Sequence, residues 1–321
     1  MTKKFAVGID VGGTTAKFGI VDHNGKILEQ DRVPSNEHEV VEDFIDDLYS
    51  KLQPMVEKVG GIGNFVGIGM GAPNGNFYSG TIEYAPNLKW RGIIPIAELM
   101  EKKFGMVTKL TNDANAAAVG EMMYGCTKNI KDFITITLGT GVGSGIVIDG
   151  KIVLGHDGFA GELGHTIIRP NGRMHKATGM RGSLESYASA TGVRETAIEM
   201  LTAHPEEESL LRNYTINELT SESVYDCAMR GDTIANSIFD FTGQILGESL
   251  ANFVMFSSPE AIVLFGGLTK AGNLLLHPTR KHMEANLLPI FQNKVKLLFS
   301  ELKEADAAII GASALVWKMK S

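Results

Sequence analysis

Two stretches of this chain combine glycine with small hydroxyl residues: Gly12-Gly13-Thr14-Thr15 and Gly139-Thr140-Gly141-Val142-Gly143-Ser144-Gly145. Where side chains are absent, backbone N–H groups can converge on an anion, and hydroxyls add donors without bulk. Two such turns could hold a polyphosphate. Neither carries the Gly-Lys-Ser/Thr ending of a P-loop, and neither opens a helix as a dinucleotide fingerprint does. Each alone reads equally well as a tight bend; their matching places in a repeat favour the anion cradle. Asp10 interrupts an apolar strand just before the first turn. A buried carboxylate demands a cation or several donors. It reads as a ligand, through water, of the Mg²⁺ that accompanies a nucleoside triphosphate, or as an acceptor for turn N–H groups.

Asp113 follows a strand and opens an alanine-rich helix, where the macrodipole favours its ionised form. It reads either as a general base for an alcohol or as an N-cap, and the two roles are compatible. Glu162 and His165 stand three apart in a loop flanked by Gly161 and Gly164, which lets them converge. A lone histidine is more often structural, so the surrounding pattern has to decide.

These residues need strands and helices to position them. Phe5–Val11 and Lys17–Val21 alternate as strands around the first glycine turn, and Asn24-Gly25 leads to a third, Lys26–Val33, through the dipeptide best suited to a hairpin. Val40, Val41, Phe44, Ile45, Leu48 and Leu52 fall at helical spacing, with Ser35 or Asn36 as the cap and Pro54 ending or kinking the helix. Phe65–Met70 and Met106–Leu110 are further strands. The helix after Asp113 stops at Gly125. From Phe133 the grammar repeats: strand, glycine turn, strand, Asp149-Gly150, short strand. A long helix, about 232–256, then precedes a buried strand, Ala261–Phe265, that runs into Gly266-Gly267. This half-chain repeat predicts two related α/β lobes, 1–115 and 116–305, with a last helix at 306–321 crossing back to complete the first.

Composition narrows the classes. With 30 basic and 37 acidic side chains the formal charge is −7, which argues against nucleic acid as a partner. No apolar run approaches the ~18 residues of a membrane span, so no membrane partner is expected. The N-terminus lacks the form of a signal peptide. Two distant cysteines, Cys126 and Cys227, imply a reducing compartment without a disulfide framework, and the expected location is the cytoplasm. Glycine is abundant at 37 of 321 residues, against an average of roughly 7%.

Gly8-Ile9-Asp10-Val11-Gly12-Gly13-Thr14 and Leu138–Gly145 resemble the two phosphate loops of the superfamily of actin, heat-shock ATPases and sugar kinases. More narrowly, Thr111-Asn112-Asp113-Ala114-Asn115-Ala116-Ala117, Gly161-Glu162-Leu163-Gly164-His165, Gly182-Ser183-Leu184-Glu185, Pro86-Asn87-Leu88 and Leu264-Phe265-Gly266-Gly267-Leu268 resemble the bacterial ROK family of sugar kinases and repressors. The resemblance runs in order along almost the whole chain. It implies an α/β fold of two ribonuclease H-like (actin-like ATPase) lobes around a central cleft, and ATP-dependent transfer of phosphate to a hexose 6-hydroxyl, with glucose first. An N-acetylmannosamine or N-acetylglucosamine kinase is the alternative, and a sugar-responsive transcriptional regulator a further one. Because the first strand already begins at Phe5, no preceding DNA-binding domain is expected.

By the same resemblance Asp113 is the catalytic base, and Asn87, Asn112, Glu162, His165 and Glu185 are sugar ligands. ATP is held by Asp10, Gly12, Gly13, Thr14, Lys17, Gly139, Thr140, Gly141, Gly266 and Gly267, with Mg²⁺ at Asp10. A ring of hydroxyls, each donor and acceptor, calls for such carboxylates, amides and an imidazole. A homodimer is expected. One departure stands out: the family's C-x-C-G-x-x-G-C-x-E stretch, which with the loop histidine binds structural zinc, reads here with Lys176, Thr178 and Ser183 in place of its cysteines. An ammonium and two hydroxyls make no zinc site, so no zinc is expected. The loop from Arg169 to Arg181 is then expected to be held by hydrogen bonds, with Thr178 and Ser183 as candidates.

Overall fold

The computed structural model describes residues 4–318. It opens with β1 (Phe5–Val11), β2 (Thr15–Asp22) and β3 (Ile27–Pro34), then α1 (Val41–Lys58) and β4 (Phe65–Gly71). Three short strands, β5 (Gly75–Asn76), β6 (Thr81–Glu83) and β7 (Ile93–Ile94), form a small antiparallel sheet. Next come α2 (Ile96–Phe104), β8 (Thr108–Thr111) and α3 (Asp113–Tyr124). The repeat follows as β9 (Phe133–Leu138), β10 (Val142–Ile148) and β11 (Lys151–Ile152). Beyond it lie α4 (Glu185–Ala188), α5 (Ala190–Ala203), α6 (Ser221–Met229), α7 (Thr233–Ser257), β12 (Ala261–Phe265), α8 (Asn273–Ala285), β13 (Lys296–Phe299) and α9 (Glu304–Lys318).

The internal repeat is visible in strand order. The first sheet runs β3-β2-β1-β4-β8 and the second β11-β10-β9-β12-β13. In each, an antiparallel hairpin edge is followed by parallel strands, β1 with β4 and β8 in one and β9 with β12 and β13 in the other. By contact the chain divides into two units: Met1–Lys131 with Gly145–Gly161 and Ser300–Ser321, and Asp132–Ser144 with Glu162–Phe299. The boundary expected after residue 115 therefore falls after Lys131. The physical reason is that α3 packs on α9 inside the first unit, with Gly120 backbone to backbone against Gly311. Residues 319–321 of the expected last helix lie outside the described residues. Among the described residues no helix is long and apolar enough to cross a membrane.

Glycines in the first sheet exist to admit α9. A Cβ at Gly8 on β1 would overlap the carbonyl of Ile309, and one at Gly69 on β4 the carbonyl of Ala312. The opposite face of the sheet buries Ile9, Phe18, Ile20, Ile68 and Met70 against Phe44, Leu48 and Leu52 of α1.

Local details depart from expectation in three places. Pro54 lies within α1, which continues to Lys58 because Leu52, Met55 and Val56 bury the turns around it. The helix starts after Val40 without a side-chain cap; Ser35 serves the glycine turn instead. Gly125 closes α3 in an extended rather than left-handed conformation. It must be glycine because the Glu121 carboxylate folds over it, bonded to the N–H of Cys126 and the hydroxyl of Ser300.

Candidate functional site

In the first unit, the hairpin register sets Asp10 opposite Lys17 on β2, while Gly71 of β4 lies on its other side. The turn between them is closed by the Gly12 N–H donating to the Thr15 carbonyl at 3.1 Å. Ser35, fully buried, clamps it from outside: its hydroxyl donates to the Gly12 carbonyl at 2.5 Å, and its N–H to the Thr14 carbonyl at 3.0 Å. Asn87 packs on Gly13 so closely that a Cβ there would stand 2.9 Å from the Asn87 carbonyl oxygen.

Asp113 occupies the first position of α3, and Asn112 is the cap, its side-chain oxygen accepting from the Asn115 N–H at 2.7 Å. Of the two compatible roles read for Asp113, the cap thus belongs to its neighbour. The Asp113 carboxylate accepts from the Ala114 N–H at 2.8 Å and from its own N–H, leaving lone pairs for a substrate hydroxyl. Its side chain reaches solvent, yet the protein crowded around the carboxyl strips water from it and raises it above the ordinary aspartate range, against the pull of local N–H groups. Asp10 is pushed up to about 6, first by burial and then by the negative charge of Asp113, with Lys17 acting in the opposite sense. The negative charge of Asp113 thus bears on Asp10, and two neighbouring carboxylates of this kind suit a hard cation that takes oxygen donors.

In the second unit the glycine turn is shorter than the sequence suggests. The Gly139 N–H donates to the Gly141 carbonyl at 3.0 Å, and β10 begins at Val142, so Gly143, Ser144 and Gly145 belong to the strand. The turn is held from several sides. Glu185, at the start of α4, accepts from the Val142 N–H at 2.7 Å, and its carboxylate fills the space a side chain at Gly141 would need. The Ala190 N–H donates to the Gly139 carbonyl at 2.8 Å, and the Thr191 hydroxyl to the Thr140 carbonyl at 3.0 Å. Thr140 itself is exposed. Gly266 takes φ +104° against the backbone of Leu138, a conformation and a distance that only glycine tolerates.

Glu162 precedes a single 3₁₀ turn, Leu163–His165. The Leu163 N–H donates to the Ser144 hydroxyl at 3.1 Å, and Gly164 lies directly on the Val142 carbonyl, so the loop is docked on β10. His165 Nε2 stands 3.9 Å from a Glu162 oxygen, and its buried Nδ1 has no hydrogen-bond partner. His175 lies beside it, with ring centroids 6.3 Å apart. Its Nε2 meets Glu185 at 2.9 Å and its Nδ1 the Thr178 hydroxyl at 2.9 Å.

The structure thus gathers Asp10, Lys17, Gly12, Gly13, Asn87 and Asp113 within the first unit, and Gly139–Gly141, Gly266, Glu162, His165 and Glu185 within the second. Sequence reasoning gave Ser35 only a capping role and missed the role of His175. Neither carries a local signal, because each acts on a partner far along the chain. Zinc does not fit the three places where the family has cysteines. Lys176 donates to Glu195, Thr178 pairs with His175, and Ser183 pairs with Ser186 at 2.8 Å. None is a thiolate, and each is bonded elsewhere.

The family model described as "ROK family" matches residues 6–319. A glucokinase of Halalkalibacterium halodurans is 36% identical, the match covering 98% of this chain and 96% of that one. A glucokinase of Thermotoga maritima is 30% identical over 98% of both. Among solved structures, a ROK family glucokinase from Streptomyces griseus in complex with glucose and AMPPNP superimposes with a TM-score of 0.79 at 30% identity, over 97% of this chain and 98% of that one.

Proposed function

The chain belongs to the ROK family, and from that premise we propose that it is an ATP-dependent glucose kinase acting on the sugar's 6-hydroxyl. The observation that carries the reading is Asp113: open to solvent, partly desolvated, bonded only to N–H groups of its own helix turn, and close enough for its charge to act on Asp10. Such a carboxylate is poised to orient an alcohol and accept its proton. In phosphoryl transfer the proton leaves late and positioning dominates, so an aspartate suffices as base. The N–H groups of the turns at Gly12–Thr14 and Gly139–Gly141, with Lys17, Gly266 and Gly267, hold the phosphates and nucleotide. Asn87, Asn112, Glu162, His165 and Glu185 bind the sugar's hydroxyls; Asn112 does so through its amide nitrogen, since its oxygen caps α3. Asp10 would hold Mg²⁺ through water, and that ion supplies charge neutralisation to the phosphates.

The relatives' glucokinase activity supports glucose as the substrate. The test is a panel of glucose, mannose, N-acetylglucosamine and N-acetylmannosamine with Mg-ATP, read by coupled ADP detection. Glucose is expected to give the highest kcat/KM. ADP release that ignores every sugar, or none at all, ends the proposal. Preference for an N-acetylhexosamine keeps the chemistry and replaces the substrate.

A further inference from the structure

The segment in which zinc does not fit is nonetheless cross-linked, and one side chain does most of it. Arg173 is nearly buried, with 10% of its side chain exposed. All five guanidinium N–H donors are engaged. Nε and one N–H of Nη2 fork onto the Glu199 carboxylate at 2.8 and 2.5 Å. Nη1 donates to the carbonyls of Ser186 at 2.7 Å and Gly192 at 3.0 Å, and the remaining N–H goes to the Thr196 hydroxyl at 2.9 Å. The guanidinium also lies over the Tyr187 ring, 4.6 Å from its centroid, while the Arg173 N–H donates to the Tyr187 hydroxyl at 2.7 Å. These partners lie in α4 and α5. A planar, permanently charged fork fixes direction as well as distance, as a metal's coordination sphere does and a lysine does not.

Two residues on, His175 passes this rigidity to the phosphate turn. Its Nε2 pairs with one Glu185 oxygen, and the other Glu185 oxygen accepts from the Val142 N–H at 2.7 Å. Thr178, on Nδ1, sets the ring's orientation. The path from Arg173 to the turn therefore runs two residues along the chain to His175 and then through short polar contacts, all inside one unit.

We infer that this chain has exchanged the family's zinc for a metal-free brace, Arg173 with His175, and that His175 is a positioning residue that aims Glu185 and thereby sets the Gly139–Val142 turn for the nucleotide phosphates. The kinetic arm of the test rests on the kinase reading, while the other arms do not.

Zinc content of the purified protein, measured by mass spectrometry, is expected below about 0.1 per chain. Treatment with a strong chelator followed by excess Mg²⁺ should leave the melting temperature and activity unchanged. His175→Ala is expected to weaken binding of a non-hydrolysable ATP analogue by about tenfold, the low end for losing a residue that orients a ligand group. The KM for ATP should rise alike, with kcat changed far less. His175→Gln, whose amide can still donate to Glu185, should recover most of the loss. Arg173→Lys should speed amide exchange across residues 165–185. About one zinc per chain, or chelator inactivation reversed by zinc, would overturn the metal-free brace. Unchanged analogue binding in His175→Ala, or His175→Gln no better than alanine, would overturn the positioning role. If the wild-type protein phosphorylates no sugar, the kinase proposal fails, and zinc content, exchange and analogue binding still decide this one.

Discussion

At the scale of single residues, activity and stability pull Asp10 in opposite directions. Burial pushes its folded carboxyl up to about 6 against 3.8 for an ordinary aspartate, so the folded state holds the proton more tightly than the unfolded chain between those values. Stability conferred at this site accordingly falls as pH rises from about 4 to 6 and stays low above that. Asp10→Asn should therefore raise stability at pH 7, on the order of 2 kcal/mol at ~1.4 kcal/mol per pKa unit with allowance for partial exposure, while abolishing activity. Denaturant melts of both proteins at pH 4.5 and 7.5 check the sign: the gap should be roughly threefold wider at the higher pH. For the same reason kcat/KM should drop as pH falls below about 6, because a protonated Asp10 cannot hold the cation, and raising Mg²⁺ should move that limb to lower pH. An acid limb indifferent to Mg²⁺ would remove Asp10 from the metal's surroundings. Asp113→Asn keeps the acceptor for the Ala114 N–H and loses only basicity and charge. It should leave glucose affinity within a few-fold and lower kcat by about 10²–10⁴, measured by calorimetry and coupled assay.

The elements matter because they aim these groups. Asn112 caps α3 and thereby sets Asp113 one position into the helix. Asn112→Ala should cost about 1 kcal/mol in denaturant unfolding, the usual value of a lost N-cap, and should also lower kcat because the first turn frays. Loss of stability with kcat intact would mean that β8 alone holds Asp113 in place. At this scale the chain was largely readable. Period-two alternation, the Asn24-Gly25 turn and Asp232 ahead of a long apolar helix are local signals, and β1, β2, β3, α7 and β12 follow them closely. What stayed hidden are contacts made across long loops. Ser35 looks like a cap, yet it bonds Gly12 because β3 brings it beside the turn. Glu185 matches a sugar ligand, but its bond to the Val142 N–H could not be read from spacing. The run of glycines after Leu138 looks like one loop; only Gly139–Gly141 is, since Gly145 is needed in β10 to clear Ala118.

For the molecule as a whole, the repeat leaves the first unit dependent on the far end of the chain. Its sheet shows one face to α1 and the other, lined by Gly8 and Gly69, to α9. At these glycines that face has no side chains of its own, so its cover there comes from residues that follow the entire second unit. Gly69→Ala tests the dependence without truncating anything. The new methyl group would overlap the Ala312 carbonyl, a backbone atom that cannot rotate away, and over-packing of this kind costs about 1–3 kcal/mol. If the units have stabilities of their own, the loss falls on the first alone. Amides of β1 and β4 should exchange faster, by roughly tenfold for each 1.4 kcal/mol, while those of β9 and β12 keep their rates. Equal acceleration in both would show one cooperative structure in which α9 supports the second sheet as much as the first.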